Sequence, residues 1–590
     1  MKRSEIDKKY KWRLEDIFAT DEEWEKRFEA VKARLSEFAA FKGKLAQKDE
    51  LLACLKLDDE ISMEIETLFV YARMRKDEES AEKYVAMCNR IENMISEMSA
   101  ACSFISPEIS KIPAKILLDF AEMPEFSDYD RLLKETVRTK KHILSEKEER
   151  LLAMTGKPLD GFQNIFMTFN NVDIDFPTIN VEGEKVKLTH GKYSFLLQNK
   201  NPKVRKAAYE GVYNTYIKNI NTIAAMYSSS VMADNFYAQA RGYKSCLDKA
   251  LYIDDVPSAV YKNLIKSVNK HCKSVHKYVA LRKKMLGLRT MHMYDMYLPI
   301  VENAEISVPY EQAYDMVLEG LKPLGEEYRN LLLKARDEGW IDVMENEGKR
   351  SGAYSWGCYT SNPYVLLNYS YTTHDIFTLA HELGHSMHSY MSHKNQPYAK
   401  GSYRIFVAEV ASTVNEVLLL KSLVKTEKDP AVKKFLLSYY LDMIRTTLFR
   451  QAMFAEFEQN THDMEQNGQP LTVKAMSDMY LDLNRKYYGK SVMHDDFIKY
   501  EWARIPHFYN AFYVYKYATG ITSAINIVND ILTTGNTDNY FKFLSAGGSD
   551  SPYNILKIAG VDLATSRPYD VAMKEFADTL EQLKKLLEEK

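Results

Sequence analysis

Two histidines four residues apart, with a carboxylate beside the first, constrain this chain more than any other feature: His381-Glu382-Leu383-Gly384-His385. In an α-helix, side chains at i and i+4 lie over each other, roughly 6 Å apart at about 1.5 Å rise per residue. That conformation lets both imidazoles grip one Zn²⁺ at about 2.0–2.1 Å. Glu382 then points to another side of the helix, within reach of a metal-activated water and clear of the ligands. The flanks, 375–380 and 386–391, carry no proline and many apolar side chains, and Thr373 or Asp375 is positioned to cap the start. The layout is that of a zinc peptidase.

Such a centre needs three protein ligands and one open position. A metzincin would supply a histidine six residues past His385 and a glycine three past it; those positions hold Met391 and His388. His388 stands at about 10 Å of helix rise from His381 and cannot share its metal. Two carboxylates downstream remain, Glu409 and Glu416, seven residues apart in the apolar run 405–420 and so on nearly one helix face. A buried carboxylate without a partner is costly. Glu409 is expected as the third ligand, and Glu416 as acceptor for a ring N–H of His381 or His385. The competing reading of either is an ion pair with Arg or Lys.

The rest of the chain reads as mainly α-helical. With 590 residues and 46% hydrophobic content it exceeds one ordinary core, so two or more lobes are expected. Glycine and proline are sparse, and the 3.6-residue apolar rhythm runs through 24–41, 61–105, 204–240, 257–285 and 430–459, with a charged amphipathic helix at 569–590. Strands are expected as a pair within 162–189, at 291–297 and at 363–370. A net charge of −3 with no basic stripe argues against nucleic-acid binding, and no apolar run approaches a membrane span. The N-terminus shows no secretory h-region. Six scattered cysteines without a C-x-x-C read as free thiols in a reducing cytoplasm.

Residues 381–388, H-E-L-G-H-S-M-H, followed by F-V-A-E-V-A-S-T-V-N-E from Phe406, resemble the thimet-oligopeptidase (M3) family of zinc peptidases, and within it the oligoendopeptidase F branch. The segments 12–18, 352–357, 362–368 and 505–520 resemble that branch too, so the similarity spans nearly the whole chain. It implies a multi-lobed helical zincin-type peptidase with a small β-sheet beside the zinc helix and a deep substrate channel. It implies three regions: 1–112, an N-terminal helical region; 113–199, a small α/β domain; and 200–590, the catalytic domain. The family's ligand pattern carries over onto His381, His385 and Glu409, binding one Zn²⁺ per chain, with Glu382 as general base. An edge strand, expected at 361–370, would pair with the substrate backbone; the competing reading is an internal strand with no substrate role.

The tetrahedral intermediate also needs donors for its oxyanion. His507, Tyr509, Tyr513, Tyr515 and Tyr517 are dense enough to supply them, although a chain with 40 tyrosines can bury such a cluster in a core helix. The family uses a histidine and tyrosines from a late segment. The spacing here departs from the thimet-type branch, and His507 with Tyr515 is chosen, Tyr509 in reserve. The resemblance implies endopeptidase action on short unstructured peptides, with no nucleic-acid or membrane partner. The rival enzyme reading is a zinc carboxypeptidase, with Arg404 or Arg504 holding the substrate's terminal carboxylate. A helical binding protein with a degenerate site would require a lost ligand or base, and none is missing.

Overall fold

The computed structural model describes residues 1–301 and 307–588. The chain forms two compact units, each assembled from separate stretches: Met1–Lys141, Ile306–Ser422 and Ile527–Val561 in one, His142–Glu305, Leu423–Asn526 and Asp562–Lys590 in the other. Both are mainly helical, and among the described residues strands form only one hairpin and one three-stranded sheet.

In the first unit the long helix α1, Lys48–Glu79, buries Leu51, Leu55, Ile61, Ile65 and Leu68 along one stripe. It stops at Ser80, whose left-handed backbone (φ 53°) turns the chain into a second helix, Glu82–Cys102. The apolar rhythm of 61–105 therefore belongs to two helices. A buried ionic knot ties the N-terminal segment to the sheet: Arg3 bonds both Glu78 and Asp342, and Lys349 reaches Asp342 at 2.7 Å.

The sheet contains β1 (Ile341–Asp342), β2 (Tyr354–Trp356) and β3 (Tyr364–Leu366) in the order β1-β3-β2. β3 pairs parallel with β1 and antiparallel with β2, Ser355 lying opposite Val365. The expected strand at 363–370 is thus the central one, and the edge falls to β2. Side matters here. The Val365 and Leu367 N–H groups bond Trp340 and Asp342 carbonyls on the β1 side. Alternation then turns Tyr364 and Leu366 toward β2, and leaves the Ser355 N–H and C=O pointing outward from the free edge.

Helix α2, Thr373–Asn395, follows the sheet. Its cap is Thr372, whose hydroxyl accepts the Asp375 N–H while the Asp375 carboxylate accepts the Thr372 N–H at 2.8 Å, a capping box one residue earlier than the sequence suggests. Helix α3, Ile405–Thr426, is apolar on nearly every side and largely buried. The two helices cross at Gly384, where a Cβ would meet Ser412 Cα at 2.6 Å. Asn415 fixes the crossing by donating to the Ala380 carbonyl, at 3.0 Å, and accepting the Tyr328 hydroxyl.

The second unit packs helices Pro202–Lys218, Ile220–Ala240, Ser258–Met285 and Val473–Tyr488 with a long helix that runs from Pro430 to Gln466 through a π-helical turn at Arg445–Phe449. The hairpin expected in 162–189 is Thr178–Val181 paired with Glu184–Lys187. The segment 291–297 is not a strand. Met293–Tyr297 is a 3₁₀ turn, because buried Asp295 accepts the His292 N–H and pairs with buried Arg205 at 2.7 Å. The C-terminal helix is Arg567–Glu588, the last two residues of the expected 569–590 helix lying outside the described range.

Candidate metal centre

His381 and His385 project from one face of α2, and Glu409 from the first turns of α3. Their ligating atoms converge. The two Nε2 atoms are 3.2 Å apart, and Glu409 Oε2 lies 3.4 Å from His381 Nε2 and 3.5 Å from His385 Nε2. Three corners of a tetrahedron around an ion at about 2.0–2.1 Å are separated by about 3.3–3.4 Å. The donor set therefore fits a tetrahedral zinc without rearrangement. Among the described residues it is the one His/Cys/Asp/Glu group that could hold a metal.

Gly384 makes this convergence possible. Any side chain there would hold α3 away and carry Glu409 out of reach, so the glycine inside the motif serves the crossing and not the backbone conformation. Behind the ligands, His381 Nδ1 contacts the Glu416 carboxylate in a short hydrogen bond. That contact orients the ring so that Nε2 faces His385 and Glu409. Burial pushes the Glu409 carboxyl up, but hydrogen bonds and charge from His381 and His385 outweigh it and leave it well below the usual range. Burial likewise opposes charging of His381, and Glu409 and Glu416 overcome it.

Glu382 is buried, and burial holds its carboxyl above the ordinary range despite the two imidazoles; Glu409 adds to the rise, while the Ser355 backbone N–H, directed at it, opposes it. The free edge of β2 therefore looks onto Glu382. Ser355 Oγ also meets Ser386 Oγ of α2 at 2.8 Å. The sequence reading missed β2 as the edge because Gly352–Trp356 has no strand-length apolar alternation.

His388 is a core residue, its ring stacked on Tyr403 at 3.7 Å, and burial pushes its pKa down to about 3. The rival's arginines are both engaged. Arg404 pairs with Glu135 at 3.4 Å, while Arg504 faces Glu501 at 3.6 Å and lies over the rings of Tyr193 and Tyr213.

The second unit separates the late aromatic residues into two sets. His507, Tyr513 and Tyr517 cluster: Tyr517 Oη lies 3.3 Å from His507 Nε2, and the Tyr513 ring packs edge-on to Tyr517 at 5.4 Å. Packing around His507 and the charge of Arg450 lower its pKa. Tyr515 is elsewhere. It is fully buried, its hydroxyl donates to Asp254 at 3.2 Å and its ring meets Tyr261. Tyr509 is buried against Phe166, stacked at 4.3 Å. Phe512, just before Tyr513, is held at φ 57° with its N–H donated to buried Glu458 at 2.8 Å. A bulky residue rarely adopts that conformation; downstream of it, the helix Tyr515–Thr534 sets Tyr515 and Tyr517 about 200° apart and so on different sides.

Known proteins resemble this chain closely. The model of peptidase family M3 matches residues 195–575, and that described as oligopeptidase F matches 108–176. Oligopeptidase PepF of Bacillus subtilis is 43% identical over 99% of this chain and 88% of its own length. Group B oligopeptidase PepB of Streptococcus agalactiae is 38% identical over 99% of this chain and 98% of its own. Oligoendopeptidase-F from Enterococcus faecium superposes with a TM-score of 0.74 at 34% identity, covering 97% of this chain and 100% of that one. A family match over more than half the chain, and relatives of this identity over its whole length, mean that the chain belongs to peptidase family M3, in its oligopeptidase F branch, and is a metalloendopeptidase.

Proposed function

We propose that the centre binds one zinc ion through His381, His385 and Glu409, and that the enzyme hydrolyses internal bonds of short unstructured peptides with Glu382 as general base. The observation that carries this is the mutual spacing of 3.2, 3.4 and 3.5 Å among the three donor atoms, which matches tetrahedral zinc. Zinc bound there would supply Lewis-acid polarisation of a carbonyl and acidification of water.

The protein's own residues supply the remainder. Glu382, held above the ordinary carboxylate range by burial, is suited to take a proton from the attacking water and return it to the leaving amine. Glu416 keeps His381 in the tautomer that presents Nε2. Ser355, its N–H directed at Glu382, offers its outward C=O to an extended peptide backbone, which favours sequence-tolerant binding along β2. For the oxyanion we replace Tyr515 by Tyr517, with His507 and Tyr513 beside it. Tyr515 spends its hydroxyl on Asp254 inside the core, whereas His507, at lowered pKa, is neutral near pH 7 and can donate. The three-region division at 112/113 and 199/200 is supported by the family matches at 108–176 and 195–575. Six free cysteines agree with a cytoplasmic site of action on peptides.

The deciding experiment is cleavage of an end-blocked, internally quenched peptide by the wild type and by Glu382→Gln, with product masses and bound zinc measured on both. Internal cleavage that collapses in the variant at unchanged zinc content supports the proposal. Trimming of a free C-terminus alone would overturn it.

A further inference from the structure

A cavity of about 220 Å³ opens where β2 ends, between that strand and α1. Its walls are rings. Phe69 and Trp356 meet edge to face at 5.6 Å, and Tyr359 stands edge-on to Tyr398 at 5.5 Å, with His393 at 5.4 Å. The walls are fixed: Tyr359 donates to the Gln396 carbonyl and Tyr398 to Glu66 Oε1, each at 2.8 Å.

Glu66 gives the cavity its sign. Among the described residues its carboxylate takes part in no ion pair; its partner is the neutral Tyr398 hydroxyl. By contrast its neighbours on α1 are matched, Glu60 with Arg34 and Glu64 with Arg27. Burial lowers the pKa of His393, so that ring brings no compensating charge. Aromatic faces ended by an uncompensated carboxylate attract a cation through the ring quadrupoles and through direct charge. The volume lies below the roughly 300–1,000 Å³ of a site for a whole small molecule and suits one side chain.

Position supplies the source of that side chain. Gly357, the first residue beyond β2, lines the cavity and lies two residues from Ser355, about 7 Å along a strand. A peptide extended along the β2 edge carries a side chain to the cavity mouth a fixed number of residues from the one facing Ser355. We propose that this cavity is a specificity pocket for a cationic side chain, arginine or lysine, of the peptide substrate. The inference rests on the reading that substrate lies along the β2 edge.

The test is a set of end-blocked quenched peptides in which one position at a time carries arginine or its uncharged isostere citrulline. In the wild type, kcat/KM should favour arginine by about tenfold at one position, the size expected of one partly desolvated cation contact. The ratio should fall to about one in Glu66→Gln, and Glu66→Lys should favour a glutamate at the same position. Equal cleavage of the arginine and citrulline peptides at every position, or a preference that survives Glu66→Gln, would overturn the pocket while leaving the peptidase reading intact. Calorimetric binding of the same peptides to Glu382→Gln gives the comparison without turnover, so a failure of the catalytic assignment leaves this one still decided.

Discussion

Gly384 Cα and Ser412 Cα face each other where α2 crosses α3, so closely that a Cβ on the glycine would stand 2.6 Å from Ser412 Cα and 2.7 Å from the Ala411 carbonyl oxygen. Backbone contacts of this kind cannot be relieved by turning a side chain. The Glu409 carboxylate reaches the two imidazoles because of that contact.

Gly384→Ala should therefore separate the helices. Alanine would favour an isolated helix by about 1 kcal/mol over glycine. Overpacking against fixed backbone costs about 1–3 kcal/mol and wins. The variant should melt several degrees lower and bind zinc more weakly than wild type, as scanning calorimetry and metal titration would measure. An unchanged melting temperature with full zinc affinity would contradict the crossing argument.

Glu382→Gln keeps the size and most contacts of the side chain but cannot accept a proton. Turnover should fall by about 10²–10⁴-fold, the usual contribution of a general base. Zinc content should stay at the wild-type level, since Glu382 is not among the three converging donors.

Glu416 acts through His381. Removing its carboxylate in Glu416→Ala frees the His381 ring to rotate, and zinc affinity should drop by about 10–100-fold in chelator competition. Glu416→Gln, which keeps an acceptor oxygen, should recover most of the loss.

The two tyrosines should separate by readout. Tyr515→Phe removes a buried hydrogen bond to Asp254 and should cost about 1 kcal/mol of stability with kcat preserved. Tyr517→Phe should leave stability nearly unchanged and lower kcat by about 10²–10³-fold, the loss typical of one oxyanion donor. The reverse pattern would restore Tyr515 to the catalytic role.

Glu458 predicts a pH dependence of stability. Burial raises its carboxyl from 4.5 to about 8, with His462 and the Phe512 N–H opposing the rise. Between those values the native state holds a proton that the unfolded chain has released, so the native state binds more protons and stability falls as pH rises. The contribution is fully present below 4.5 and lost by about 8. Glu458→Gln stays neutral throughout and should flatten the melting-temperature profile across that window.

Much of the centre was legible in residues 381–416 alone. A helix repeat of 3.6 dictates that His381 and His385 share a face, and the cost of burying a lone carboxylate singles out Glu409 and Glu416 in an apolar segment. Local preference also marks the helices, because side-chain periodicity is written directly into the chain. Contacts between segments distant in sequence are not. Nothing in Tyr354–Trp356 announces an edge strand; it becomes one because β3 spends its other side on β1. The helix repeat turns Tyr515 and Tyr517 to different sides, but nothing in the late aromatic run says which side is covered; Asp254 and Tyr261, more than 250 residues away, bury Tyr515. The sequence by itself determined which atoms could bind a metal, since that follows from residue type and helix repeat. Only the tertiary structure decided which hydroxyls and backbone edges stay open, because that depends on what the rest of the chain has already covered.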